Sequence, residues 1–171
     1  MEPGRLDLTD VVVIALGSNL VGDYGSSVDL LEAALAQFAQ AELPVIAKSS
    51  WWRSRAWPDP TANEYRNGIV LVEARLTPQV MIRTLFSLEA QFGRVRGTEN
   101  DPRTLDLDLI AHGRTVVASP DLTLPHPRAD QRLFVMGPLA EIAPDWRHPV
   151  SGLTARDLAQ GATVGRDARP L

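Results

Sequence analysis

The run PRTLDLDLI at positions 102–110 alternates strictly between polar and apolar side chains from Thr104 to Leu109. A period of two fits a β-strand, because successive side chains point to opposite faces. Leu105, Leu107 and Leu109 fall on one face, and Thr104, Asp106 and Asp108 on the other. The leucine face demands a covering layer. The other face sets two carboxylates at i and i+2, about 7 Å apart, where they repel each other unless something positive lies nearby. Aspartate is also depleted in strands, so its repetition here asks for a chemical reason.

The remaining elements follow from periodicity and punctuation. VVVIAL (11–16) reads as a buried strand, VIAKSSWW (45–52) as a second and NGIVLVEARL (67–76) as a third. The charged strand at about 104–111 is the fourth, and TVVAS is read as a short partner strand. A helix is expected to start near Ser26 or Ser27, with apolar residues at 28, 31, 35 and 38. Thr77-Pro78 opens a second helix running to Gly93, with Thr as N-cap and Pro at the first helical position. Further helices are expected near 128–142 and 154–160. The order strand, helix, strand, strand, helix, strand predicts an α+β domain. We expect an antiparallel sheet in a ferredoxin-like layout, with helices packed on one face.

The 171 residues suffice for one domain, expected over positions 1–171, with no linker or internal repeat. No apolar run approaches the roughly 20 residues of a membrane helix, and the N-terminus lacks a basic start with an apolar stretch. The chain has no cysteine, which removes disulfides, thiolate metal sites and cysteine nucleophiles. These features favour a cytoplasmic protein, expected to be a monomer. A net charge of −4 argues against nucleic acid as partner. Basic residues are absent between Arg5 and Lys48, whereas Arg94, Arg96, Arg103, Arg114, Arg128 and Arg132 crowd one later stretch. Lys48 is the only lysine, so any bound anion is held by arginine forks and backbone amides.

Two readings stay open for the aspartate pair. One is an exposed strand face neutralised by arginines. The other is a Mg²⁺ site, since hard oxygen ligands at this spacing suit an ion that keeps waters and shares phosphate oxygens. Arg94, Arg96 and Arg103 precede the strand and Arg128 and Arg132 follow it, and guanidinium groups grip phosphate bidentately. No P-loop motif is present, and GSNLVG matches a phosphate loop only loosely. His126 lies between two prolines beside the later arginines, as a loop residue or a ligand. Trp51 and Trp52 read as core. Trp57, in a proline-punctuated loop, and Asn67 would suit a planar heterocycle that needs stacking and edge hydrogen bonds.

ALGSNL, YRNGIVLVE, LEAQFGRVR, PRTLDLDLI and LTLPHPRADQRLFVMGPLAEIAPDW stand in the order and spacing of one family. Over about residues 11–147 the chain resembles 6-hydroxymethyl-7,8-dihydropterin pyrophosphokinase, the folate-pathway diphosphokinase. The resemblance implies a ferredoxin-like fold and transfer of the β,γ-diphosphate of ATP to the pterin hydroxymethyl group, with AMP released. It implies that Asp106 and Asp108 bind two Mg²⁺ and that Arg94 and Arg103 stabilise charge on the moving phosphates. Arg96, His126 and Arg132 would hold the nucleotide, with Glu89, Leu122 and Thr123 nearby. Tyr65, Asn67 and Phe134 would line the pterin pocket, Phe134 by stacking, and Trp57 would belong to its other wall. No protein general base is obvious, and Asp106 is the one candidate for that role. The loop GTENDPR departs from many relatives by being shorter and lacking a tryptophan, and RAWPDP stands where many have TPP. Two other readings stand beside it: a Mg²⁺-dependent phosphohydrolase or nucleotidyl enzyme, and an anion- or RNA-binding module. Residues 152–171 extend beyond the resemblance, carry no functional expectation, and are expected to fray at the end.

Overall fold

The computed structural model describes residues 7–19, 26–55, 64–93 and 105–171. Its centre is β1 (Val12–Ser18), whose continuous apolar run leaves no polar face for solvent. Such a run is the mark of a strand buried on both sides. Antiparallel neighbours flank it, β4 (Tyr65–Val72) on one side and β5 (Asp106–His112) on the other. Two short strands, β2 (Val45–Lys48) and β3 (Trp52–Ser54), share the far edge of β4. The C-terminal strand β8 (Arg169–Pro170) then adds to β3. The order β5-β1-β4-β3-β8 makes one antiparallel sheet, and its first four strand positions are compatible with the expected ferredoxin-like layout.

Helices α1 (Ser27–Leu35) and α2 (Pro78–Gln91) cover one face. Both start as the sequence predicts. Ser26 Oγ accepts the Asp29 amide at 3.1 Å, and Thr77 Oγ1 accepts the Val80 amide at 3.3 Å, caps worth about 1 kcal/mol each. Leu30, Leu31, Met81 and Leu85 meet Val12, Ile14, Val70, Leu105 just before β5, and Leu107 and Leu109 within it. The alternation read at 105–109 is therefore real.

The expectation of helices on one face needs correction. α3 (Leu133–Ile142) and α4 (Ala155–Gly161) lie on the opposite face, where Val135, Met136 and Leu139 pack on Val13, Ile69, Leu71 and Ile110. The reason is the unbroken apolar character of β1 and β4, which leaves a second hydrophobic face to cover. A register shift between Val13 and Ile14 opposite β5 brings both Ile110 and Ala111 into this second core.

Other boundaries moved for local reasons. The single strand expected over 45–52 is broken between Lys48 and Trp52. There Ser49 Oγ takes the Ile69 amide at 2.9 Å, and the Trp51 ring lies on Gly68, where a Cβ would stand 2.5 Å from Cζ3. The helix expected from 128 begins as a single 3₁₀ turn (Ala129–Gln131) before α3. TVVAS contributes β6 (Val117–Ala118), which pairs with β7 (Thr123–Leu124) in a separate two-stranded sheet. The chain end, expected to fray, is instead paired through β8, and the Leu171 amide donates to the Trp51 carbonyl at 3.0 Å.

Candidate active site

Three adjacent strands put the polar residues side by side. Gly17 on β1 is opposite Asn67 on β4 and opposite Asp106 on β5, and Ala15 is opposite Asp108. With strands about 4.8 Å apart, Asn67 and Asp106 lie roughly 10 Å apart across a glycine floor. Above that floor, Phe134 and Arg132 at the start of α3, together with Val164, close a cavity of about 340 Å³. Tyr65, Asn67, Asp106, Asp108, Arg132 and Phe134 all line it, so six of the predicted residues meet in one space.

Asn67 is buried and its amide is fixed. Nδ2 donates to Ser54 Oγ at 2.9 Å, and Oδ1 lies 3.2 Å from where a Cβ on residue 17 would stand. Gly17 thus leaves that carbonyl uncovered, and the amide offers an acceptor and a remaining N–H to a planar edge. The Phe134 ring supplies a flat apolar surface, with the Arg132 guanidinium carbon 5.7 Å from its centroid.

A second, smaller cavity of about 170 Å³ opens on the outer edge of β5. Leu122, Thr123 and His126 line it, as does Phe86 from α2. Asp108 lines both cavities. His126 is tied in place by its amide, which donates to the Ile110 carbonyl at 2.8 Å, while its Nδ1 accepts the Arg128 amide at 3.2 Å. Burial pushes its pKa down, and the Arg132 charge pushes the same way, against an opposing pull from Asp106. The imidazole is therefore neutral at pH 7. With Nδ1 accepting, its proton sits on Nε2, ready to donate.

Glu89 differs from the rest. It is 1% exposed, lines neither cavity, and its Oε2 accepts the Leu107 amide at 3.0 Å between the two aspartates. Arg94, Arg96, Arg103 and Trp57 lie outside the described residues. Among the described residues no three His, Asp or Glu side chains converge as a metal cage. A cation here would rest on Asp106 and Asp108, with water and a ligand supplying other oxygens, which fits Mg²⁺ better than an all-protein site. Sequence reasoning missed Ser54, Arg55 and Val164. Nothing in their local sequence marks them, since each reaches the cavity only through strand pairing or chain return. Gly17 did carry a signal, in ALGSNL.

The family model described as 7,8-dihydro-6-hydroxymethylpterin-pyrophosphokinase (HPPK) matches residues 13–144. The chain belongs to the HPPK family. It is 44% identical over 149 residues to a 2-amino-4-hydroxy-6-hydroxymethyldihydropteridine pyrophosphokinase of Synechocystis, covering 86% of this chain and 74% of the relative. It is 34% identical over 145 residues to the Methylorubrum extorquens protein of the same name, covering 84% of this chain and 88% of that one. Among solved structures, an HPPK-DHPS in complex with substrates aligns at a TM-score of 0.70 and 13% identity. That match covers 94% of this chain but 46% of the solved one, so the HPPK-family chain spans under half of it and the likeness speaks for the fold alone. Among the described residues no helix is long and apolar enough to cross a membrane.

Proposed function

We propose that this HPPK-family chain transfers the β,γ-diphosphate of ATP to the hydroxymethyl oxygen of 6-hydroxymethyl-7,8-dihydropterin, releasing AMP, as a step of folate biosynthesis. The observation that carries this reading is Asp108, which borders both cavities. A cavity with an oriented amide and an aromatic ring lies on one side, and the smaller cavity lined by Leu122, Thr123 and His126 on the other. Two substrates would thus meet at a pair of carboxylates.

In this reading the pterin lies against Phe134 and Tyr65, with its amide-like edge on Asn67. The nucleotide follows Leu122, Thr123 and His126, with Arg132 reaching toward its phosphates. Neutral His126 donates a hydrogen bond without adding charge. Asp106 and Asp108 hold Mg²⁺, which when bound neutralises triphosphate charge and draws the two substrates into line. Arg94, Arg96 and Arg103 supply the remaining positive charge, as the family resemblance implies. Phosphoryl-type transfer asks the protein chiefly for positioning and charge neutralisation, and these residue types supply both. Glu89 acts on the strand beneath, through Leu107.

The test is to incubate the protein with ATP, Mg²⁺ and 6-hydroxymethyl-7,8-dihydropterin and to separate the nucleotides. AMP should form in step with pterin consumption and only when pterin and Mg²⁺ are both present. ADP or phosphate formed without pterin would replace the reading with a hydrolase. No change in nucleotide would leave a binding module.

A further inference from the structure

The segment after α4 lies beyond the residues the family model matches, yet it lines the larger cavity at Val164 and hydrogen-bonds to both of its walls. At one end the Thr163 and Val164 amides donate to the Gln131 carbonyl at 3.1 and 2.9 Å, and the Leu133 amide donates to the Val164 carbonyl at 2.9 Å. These bonds bracket Arg132 at the start of α3. Gly165 then turns with φ +68°, and a Cβ there would stand 2.5 Å from Cδ1 of Phe134. At the other end Asp167 Oδ2 accepts the Arg55 amide at 2.7 Å, and β8 pairs with β3, next to Ser54.

We propose that residues 163–168 are a specificity-determining wall of the heterocycle end of this cavity. Val164 and Gly165 set where the Phe134 ring stands, and Asp167 positions the opposite rim at Arg55. The physical case is that an aromatic ring at a helix start has rotamer freedom unless something blocks it. Here a bare backbone at Gly165 lies against the ring, a contact that only the absence of a side chain allows. Val164 lines the cavity directly. The wall touches the heterocycle end and not the groove of Leu122, Thr123 and His126, so its effect should fall on one substrate. This inference rests on the proposed pterin site.

The experiment measures AMP formation with each substrate varied in turn, for Gly165→Ala, Val164→Ala, Asp167→Ala and Asp167→Asn. Gly165→Ala and Asp167→Ala should raise the KM for the pterin roughly three- to tenfold, the range spanned by losing one aromatic packing contact. The KM for ATP should move less than twofold, and the loss should fall on the pterin KM and not on kcat. Asp167→Asn keeps an acceptor for the Arg55 amide and should recover most of the loss. Val164 is 45% exposed, so Val164→Ala should fold even where the other variants do not. Its pterin KM should rise in the same direction.

A pterin KM within twofold of the unsubstituted protein in every folded variant would overturn the inference. So would an equal rise in both KM values, which would mark a general loss of structure. If the unsubstituted protein makes no AMP, the activity reading fails on its own, and the wall is then read from pterin affinity by the heterocycle's fluorescence. Unchanged affinity in the variants would overturn the wall, and no pterin binding at all would overturn both.

Discussion

Replacing Glu89 with alanine should damage β5, the strand of Asp106 and Asp108, through a hydrogen bond more than ten residues away in sequence. β5 is the edge of the sheet, and the Leu107 amide on its outer side goes to the Glu89 carboxylate at 3.0 Å. Without that acceptor a buried N–H is orphaned, at about 1–3 kcal/mol. Deleting the buried side-chain methylenes adds roughly 1 kcal/mol. A loss of about 2–4 kcal/mol in a chain of this size should lower Tm by roughly 4–16 °C. Glu89→Gln keeps an oxygen acceptor for the same amide and should melt only a few degrees lower, a loss of about 1 kcal/mol or less. Leu107 sits between Asp106 and Asp108, so the Mg²⁺ concentration for half-maximal AMP formation should rise more than the KM for the pterin. The assays are thermal unfolding and AMP formation titrated with Mg²⁺. An alanine variant melting within 2 °C of the starting protein, with an unchanged Mg²⁺ dependence and a raised KM for ATP, would refute this reasoning and place Glu89 on the nucleotide.

Asp106→Ala and Asp108→Ala should each cut pterin-dependent AMP formation by roughly a hundredfold or more, as expected when charge stabilisation at a reacting phosphate is lost. Their unfolding should stay cooperative, and near-normal turnover in both would remove the metal site. Ser54→Ala leaves Asn67 Nδ2 without its buried partner. It should cost about 1–3 kcal/mol in denaturant unfolding and raise the pterin KM, whereas unchanged KM would show that the amide needs no anchor. His126 titrates below its ordinary 6.5 in the folded protein because burial, then Arg132, disfavour its charge. Between the folded value and 6.5 the unfolded chain binds the proton that the folded chain refuses, so stability should fall as pH drops below 6.5. His148, lowered chiefly by burial, adds in the same sense. His126→Asn should flatten part of that fall in denaturant melts at pH 7.5 and 5.5, and an identical slope would exclude His126 as a contributor.

By itself the sequence determined the elements whose causes are local. The alternation over 104–109 placed Asp106 and Asp108 on one face and Leu105, Leu107 and Leu109 on the other, and the structure keeps that division. Thr77-Pro78 opened α2 because a cap acts within one turn. Residue chemistry brought Asn67, His126 and Arg132 into view wherever the chain places them, and the family resemblance added Phe134. What tertiary structure alone decided is anything that depends on which side a second layer approaches. VVVIAL announced burial on both faces, yet only the return of α3 and α4 showed what covers the second face. Ser54, Arg55 and Val164 join the site through neighbours distant in the chain. The Asp167–Arg55 bond spans 112 positions, and β8 is two residues long, too short for any period to show. Short strands and chain ends take their conformation from partners already in place, so their structure follows from the assembled sheet and not from their own residues.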